Sequence, residues 1–201
     1  MIDITTHTKA VLAWCFPPNA SRPHIMEGIL FDAGGLQIAT NGHGLAMLAQ
    51  EHVTPTDYPV INGMTATDTD APTVLQRDDV AGVVKALPKR STLPYSRHAL
   101  ELGTRNGTIT LGVAAKQQSV TVTPREATDF PDYRQIIPPA RKGSRHVGVD
   151  PAYLKAIGES MLAIGATCVE MEIPADPIAP LRFIGEKDGA ALVIVLMPMR
   201  L

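Results

Sequence analysis

Most of the chain reads as short apolar runs broken by turn residues, and three stretches switch to helical spacing. The last residues set the frame. Leu192-Val193-Ile194-Val195-Leu196 is an unbroken apolar run, too short for a buried helix and suited to a strand covered on both faces. Met197, Pro198, Met199, Arg200 and Leu201 follow it, an apolar ending where polar residues are usual. Two methionines on a proline-stiffened segment make an adaptable apolar surface, with Arg200 as its polar rim. The segment is read either as a tail closing its own core or as the wall of a groove for an apolar peptide.

The rest of the pattern repeats. Ile2 and Ile4 alternate with polar residues, and residues 8–16 read as a short helix stopped by Pro17 and Pro18. Residues 25–31 and 36–40 form strands about Asp32-Ala33-Gly34-Gly35, and 43–48 follow Asn41-Gly42 as a third. Residues 50–72, rich in Thr, Asp and Pro, read as a surface loop. A strand at 73–76 then leads into a helix at 77–87, with Val80, Val83, Val84 and Leu87 on one face and Pro88 as its stop. Strands follow at 98–102, 108–113 and 119–123. After the basic linker Arg141-Lys142-Gly143-Ser144-Arg145, Val147 and Val149 alternate into Asp150-Pro151, an N-cap and first helical residue. That helix carries Tyr153, Leu154, Ile157, Met161 and Leu162 to Gly165, and strands at 168–173, 181–184 and 190–196 complete the chain. The expectation is an α+β fold of antiparallel sheets with helices on one face. It holds three strand-helix-three-strand units, two in a domain at 1–140 and one in a half-domain at 141–201.

Composition narrows the classes. With 201 residues, 45% apolar and 19% charged, the chain is globular and can bury a core. A formal charge of -2 confines any nucleic-acid contact to one face. Cys15 and Cys168 lack metal or redox spacing and read as reduced core thiols. No signal peptide or membrane-spanning run is read, so a cytoplasmic protein is expected. Enzyme readings find little: there is no glycine-rich phosphate loop after a strand, and no nucleophile with a local partner. His7, His24, His43, His52, His98 and His146 fall at no ligand spacing, Glu126, Asp129 and Asp132 read as loop solvation, and no cofactor is expected.

Three motifs carry a resemblance. Met197-Pro198-Met199-Arg200-Leu201, Phe130-Pro131-Asp132-Tyr133-Arg134 and Thr40-Asn41-Gly42-His43-Gly44-Leu45-Ala46 stand in the order found in the bacterial DNA polymerase III beta subunit, the sliding clamp. The chain resembles that family's middle domain followed by the second half of its last domain. The resemblance implies a DNA-clamp fold and a polymerase processivity factor that encircles duplex DNA as a homo-oligomer, with no catalytic residues. It also implies a groove, between the two domains, for short clamp-binding peptides of polymerases or repair proteins. Its residues would be Met26, Thr40, Gly42, His43, Leu45, Pro131, Gln135, Ile136, Asp150, Tyr153, Val195, Met197, Pro198, Met199 and Arg200. Lys9, Arg77, Lys85, Lys89, Arg134, Arg141, Lys142 and Lys155 would face DNA phosphates.

Two departures matter. Gly44 and Gln135 stand where the family has arginines, which alters the cationic rim of the groove. Two rivals remain: a non-encircling clamp mimic of phage or mobile-element type that captures the same peptides, and a degenerate fragment that only folds.

Overall fold

The computed structural model describes residues 1–15, 27–67, 71–137, 146–176 and 178–199. The protein is a mixed α+β chain of antiparallel sheets and few helices, and it separates into two compact units, Met1–Ile137 and Pro138–Leu201.

The first unit runs β1 (Asp3–Thr5), α1 (Lys9–Leu12), β2 (Gly28–Phe31), β3 (Gln37–Thr40) and β4 (Leu45–Leu48). A second pass follows: β5 (Thr73–Gln76), α2 (Arg77–Ala86), β6 (His98–Arg105), β7 (Thr108–Val113) and β8 (Gln118–Val122), with the short α3 (Tyr133–Ile136) at its end. The first strand of each repeat does not join its own repeat's sheet. β1 pairs antiparallel with β6, Ile4 opposite Ala99, and β5 pairs with β2, Leu75 opposite Ile29. The two sheets are therefore β1-β6-β7-β8 and β5-β2-β3-β4, an exchange with approximate two-fold logic.

One core results. Ile2 just before β1 and Ile4 within it, Val11 of α1, Ile29 and Phe31 of β2, Leu75 of β5, Val80, Val83 and Val84 of α2, and Ile109 and Leu111 of β7 form a single buried cluster. Helix α2 has acidic Asp78 and Asp79 in its first turn and Lys85 in its last, matching the helix dipole, while its valines face the core. The helix expected at 8–16 is shorter. Thr5 and Thr8 cap each other reciprocally and hold residues 6–8 in a 3-10 turn, so α-helix spans only Lys9–Leu12. Phe16, Pro17 and Pro18 lie outside the described residues. The strand expected from residue 43 starts at Leu45, because the Asn41 side chain accepts the His43 and Gly44 amides and keeps them out of the ladder.

The segment at 50–72 is more than a surface loop. Tyr58 and Ile61 are buried against Leu100, Leu102 and Ala114, on the face of the β1-β6-β7-β8 sheet away from the main core. The Tyr58 hydroxyl lies 2.6 Å from the Gly112 carbonyl and 2.9 Å from the His98 carbonyl, and accepts from the Ala114 amide at 3.1 Å. Burial pushes the phenol up to about 12. The polar composition of this stretch concealed two anchors whose polar atoms are satisfied internally.

The second unit holds α4 (Pro151–Ala163), β9 (Glu170–Glu172), β10 (Leu181–Lys187) and β11 (Ala190–Leu196), in sheet order β11-β10-β9. Asp150 caps α4 by accepting the Ala152 amide, and Pro151 opens it. Asp188 and Gly189, both with positive φ, turn β10 into β11. Ile157 and Met161 of α4 pack on Leu181 and Phe183, with Leu192, Ile194 and Leu196 at the margin. Val147 and Val149 touch the same cluster, but Gly148 makes only an isolated bridge to Met199 and not a strand.

Two expectations fail here. The last strand is covered on one face only: Leu192, Ile194 and Leu196 turn inward, and Val193 and Val195 are exposed, because a single helix packs against a single side of this three-stranded sheet. Cys168 is exposed, preceding a strand that itself lies at the sheet edge. Cys15 is buried, with its thiol pushed up to about 12 by burial. Among the described residues no helix is long and apolar enough to cross a membrane.

Removing the Tyr58 hydroxyl takes the side-chain acceptor from the Ala114 amide and a donor from the carbonyls of Gly112 and His98. Tyr58→Phe should lower unfolding free energy by about 1–3 kcal/mol in urea titration; an unchanged midpoint would show that the hydroxyl network adds nothing to the packing of the ring.

Candidate functional site

The hairpin joining β3 to β4 is held by its own polar groups. The Thr40 hydroxyl donates to the Gly44 carbonyl at 2.8 Å and accepts the Gly42 amide at 3.2 Å, while the Asn41 carboxamide accepts from His43 and Gly44 at 3.0 and 2.9 Å. Gly42 has φ +79, the left-handed geometry this turn requires. Thr40 is buried, so it shapes the hairpin and does not present its side chain. The imidazole of His43 is exposed at the tip and makes no side-chain hydrogen bond among the described residues.

Trp14, just beyond α1, lies over Gly44. A Cβ built at Gly44 would stand 2.1 Å from the indole ring, so only glycine admits the tryptophan there. The glycine at this position thus has a physical correlate, since the indole occupies the room a side chain would need. Trp14 is 41% exposed and adds an aromatic edge to the hairpin. No sequence signal marks this neighbour, because the pairing depends on how α1 meets β4.

Residues 130–136 are anchored to the same half of the unit. Phe130 and Tyr133 are buried with Leu30, Ile38 and Val74, and Leu45 packs against that cluster. The Tyr133 hydroxyl donates to Asp32 at 2.6 Å, and Arg134 reaches the same carboxylate oxygen at 2.5 Å with its guanidinium 4.6 Å from the Tyr133 ring centre. Burial alone would push the Asp32 carboxyl up, but the Tyr133 hydroxyl, the Ala33 amide and the Arg134 cation together hold it below the ordinary range. Burial and the Asp32 hydrogen bond raise the Tyr133 phenol. A cleft of about 310 Å³ opens here, lined by Leu30, Asp32, Phe130, Pro131, Tyr133 and Arg134 among others. Pro131 lines it, whereas Gln135 turns back to Asp132 at 2.9 Å and Ile136 is exposed. The structure therefore gathers His43, Leu45, Pro131 and Ile136 on two neighbouring segments of the first unit, with Asp32 as the fixed point.

In the second unit the Met199 amide donates to the Gly148 carbonyl at 2.9 Å, which sets the segment before α4 beside the tail. Val193, Val195, Met197 and Met199, at two-residue intervals, are each roughly half exposed or more. They form one apolar stripe on a strand and its extension. Tyr153 and Leu154 of α4 are exposed as well, and the Asp150 side chain is committed to capping. Met26, Arg141, Lys142 and Arg200 lie outside the described residues.

The basic candidates divide. Arg134 is paired with Asp32, Arg77 with Asp78 at 3.1 Å and Lys155 with Glu159 at 3.6 Å, whereas Lys9, Lys85 and Lys89 are exposed with no ion pair among the described residues. A group the sequence did not single out is Asp3 with His52 and His98. The buried carboxylate lies 3.1 Å from His52 Nδ1 and 2.9 Å from His98 Nδ1, beside a cleft of about 620 Å³. Residues 3, 52 and 98 meet only because β1 has crossed to β6.

Compared with known proteins, the chain matches no family model, and no curated protein matches it in sequence.

Two outcomes follow from these contacts. Gly44→Arg should expel the ring of Trp14, the sole tryptophan, and shift its fluorescence to the red with stronger acrylamide quenching; unchanged emission would mean the indole is not held at Gly44. The hydrogen bond to Asp3 holds the His52 imidazolium above its ordinary range. A raised folded-state value makes this contribution complete below about pH 6.5, the ordinary histidine value, and lost as pH climbs through the raised one. The melting temperature of the wild type should therefore fall more steeply as pH rises above about 6.5 than that of His52→Gln, and parallel profiles would exclude the pair as the source.

Proposed function

We propose that the protein is a sliding-clamp-like processivity factor that captures short apolar peptides of polymerases or repair proteins. In this reading the peptide-contacting surfaces are the His43–Leu45 hairpin with Pro131 and Ile136 on the first unit, and Val195, Met197, Pro198 and Met199 on the second. The observation that carries it is the exposed stripe of Val193, Val195, Met197 and Met199, a run of costly apolar surface held in extended geometry by the bridge to Gly148. Methionine suits such a surface because its thioether repacks around differing leucine or phenylalanine anchors. The three motifs that resemble the clamp family coincide with these surfaces, and the exchanged-strand repeats of the first unit support the clamp architecture. The protein acts by tethering, with the chemistry left to its partner.

A second reading has its own observation. Three of the basic side chains named for DNA carry acidic partners, and the chain as a whole is weakly acidic. That balance favours a peptide-capturing module that does not encircle DNA. Peptide capture is common to both readings, and retention on covalently closed circular duplex with release after linearisation belongs to the encircling one alone.

The test is titration of the full chain with a synthetic peptide bearing glutamine and leucine or phenylalanine anchors, followed by Trp14 emission and calorimetry. Met199→Ala should weaken binding by about 1–3 kcal/mol. Equal affinity of variant and wild type would remove the tail from the site, and no binding to either would sink peptide capture altogether.

A further inference from the structure

We propose that two copies of the chain pair through their second units, residues 147–149 of each adding as a strand to the open edge of β9 in the other. The inference rests on the topology and is independent of the peptide-capture reading.

The first unit shows what a repeat of this kind requires. Its opening strand is always given away, β1 to β6 and β5 to β2. β5 has two edges: one meets β2, and the other is held by its own repeat's tail, where Val74 and Arg125 exchange both backbone hydrogen bonds, at 2.8 and 3.4 Å. The second unit reproduces the tail side of that arrangement, with Gly148 bridged to Met199 at 2.9 Å. Backbone groups alternate in direction along an extended segment, so the groups of Val147 and Val149 point to the opposite edge. No ladder occupies that edge among the described residues.

The acceptor is equally incomplete. β9 follows its repeat's helix as β2 and β6 follow theirs, and each of those strands has a neighbour on both sides, whereas β9 pairs with β10 alone. Burial shows the consequence. Ile29 and Phe31 of β2 are 0% and 3% exposed, while every residue of β9 is exposed. Met171 stands opposite buried Phe183, hence on the helix side of the sheet, yet is 51% exposed. Val169 and Ile173, two residues to either side, share its face and are also exposed. Leu162 of α4 is exposed in the same unit, whereas α1 and α2 pack on each other in the first. The charges of β9 lie on the other face, where Glu172 pairs with Arg182 at 2.8 Å. They do not obstruct the apolar side.

The missing partner is therefore a repeat that offers a strand and a helix and lacks an edge neighbour for β9. A second copy is such a repeat, and a two-fold axis meets both needs at once. The pair would reproduce the exchange of the first unit, with eight strands and two helices around one core.

Sedimentation velocity of the full chain tests this. The wild type should sediment as a dimer, and Met171→Lys should raise the dissociation constant by about a hundredfold, since the pairing would bury an unpaired ammonium. Met171 is exposed in a single chain, so the variant's circular dichroism should match the wild type. Hydrogen exchange supplies a reading free of any substitution, in which the amides of Val147 and Val149 should exchange more slowly as concentration rises. A wild type that stays monomeric at all accessible concentrations overturns the proposal. So does a dimer that tolerates Met171→Lys while residues 147–149 exchange freely. Met171→Lys should still bind the anchor peptide, which separates failure here from failure of peptide capture.

Discussion

The first unit depends on an exchange: each repeat gives its opening strand to the other's sheet. Strands of three or four residues are marginal alone. Placing β1 against β6 and β5 against β2 makes each four-stranded sheet a joint product, and brings α1 and α2 into one core with both inner faces. Neither repeat can bury its own apolar face without the other. Ile4 meets Ala99 across most of the unit's sequence, so much of the chain must be in place before the core closes.

The same reciprocity governs the outer faces. Residues following β4 supply Tyr58 and Ile61 to the sheet built mainly by the second repeat. Residues following β8 supply Phe130 and Tyr133 to the sheet built mainly by the first. The candidate site is positioned by this second exchange. The Asp32 carboxylate sits at the β2–β3 turn and fixes Tyr133 and Arg134 a hundred residues later, so the cleft beside Pro131 is defined by groups from both repeats. The β3–β4 hairpin closes on its own Thr40 and Asn41 groups, which leaves His43 exposed at its tip. Arg134 illustrates how a cation can be present in sequence yet committed in structure, where Asp32 neutralises it and the Tyr133 ring supports it.

Local signals were legible where local physics decides. The valine spacing of α2 with Pro88 behind it, the Asp150-Pro151 start of α4 and the Asn41-Gly42 turn are all read from adjacent residues. Three strand-helix-three-strand units were expected from the same signals, and the third lacks its opening strand, since Gly148 makes only an isolated bridge. What was not legible is which strand lies beside which, because alternation in β1 specifies a buried face and says nothing of the neighbour. Trp14 over Gly44, and Asp3 between His52 and His98, are consequences of that pairing and were invisible for the same reason. The anchors at 58 and 61 were missed because a polar loop with two buried residues has nearly the composition of one with none. Of the candidate site, the hairpin, the 130–136 segment and the tail were named from motif resemblance, whereas Asp32, which holds one of them in place, is legible in the sequence only as a turn residue.

The second unit poses the converse problem. β9 alternates Val169, Met171 and Ile173 with Glu170 and Glu172, the pattern of a strand with one buried face, and β11 carries an unbroken apolar run, the pattern of a strand with two. In the structure β9 buries neither face and β11 only one. A repeat of about sixty residues buries a smaller share of its surface than a larger domain does. Its core here is a handful of side chains around Ile157, Met161, Leu181 and Phe183. The amphipathic code in this stretch thus specifies more burial than the unit supplies by itself. Periodicity records which faces a sequence is built to cover, whatever covers them, and the gap between that record and the observed exposure is the surface that the proposed pairing would cover.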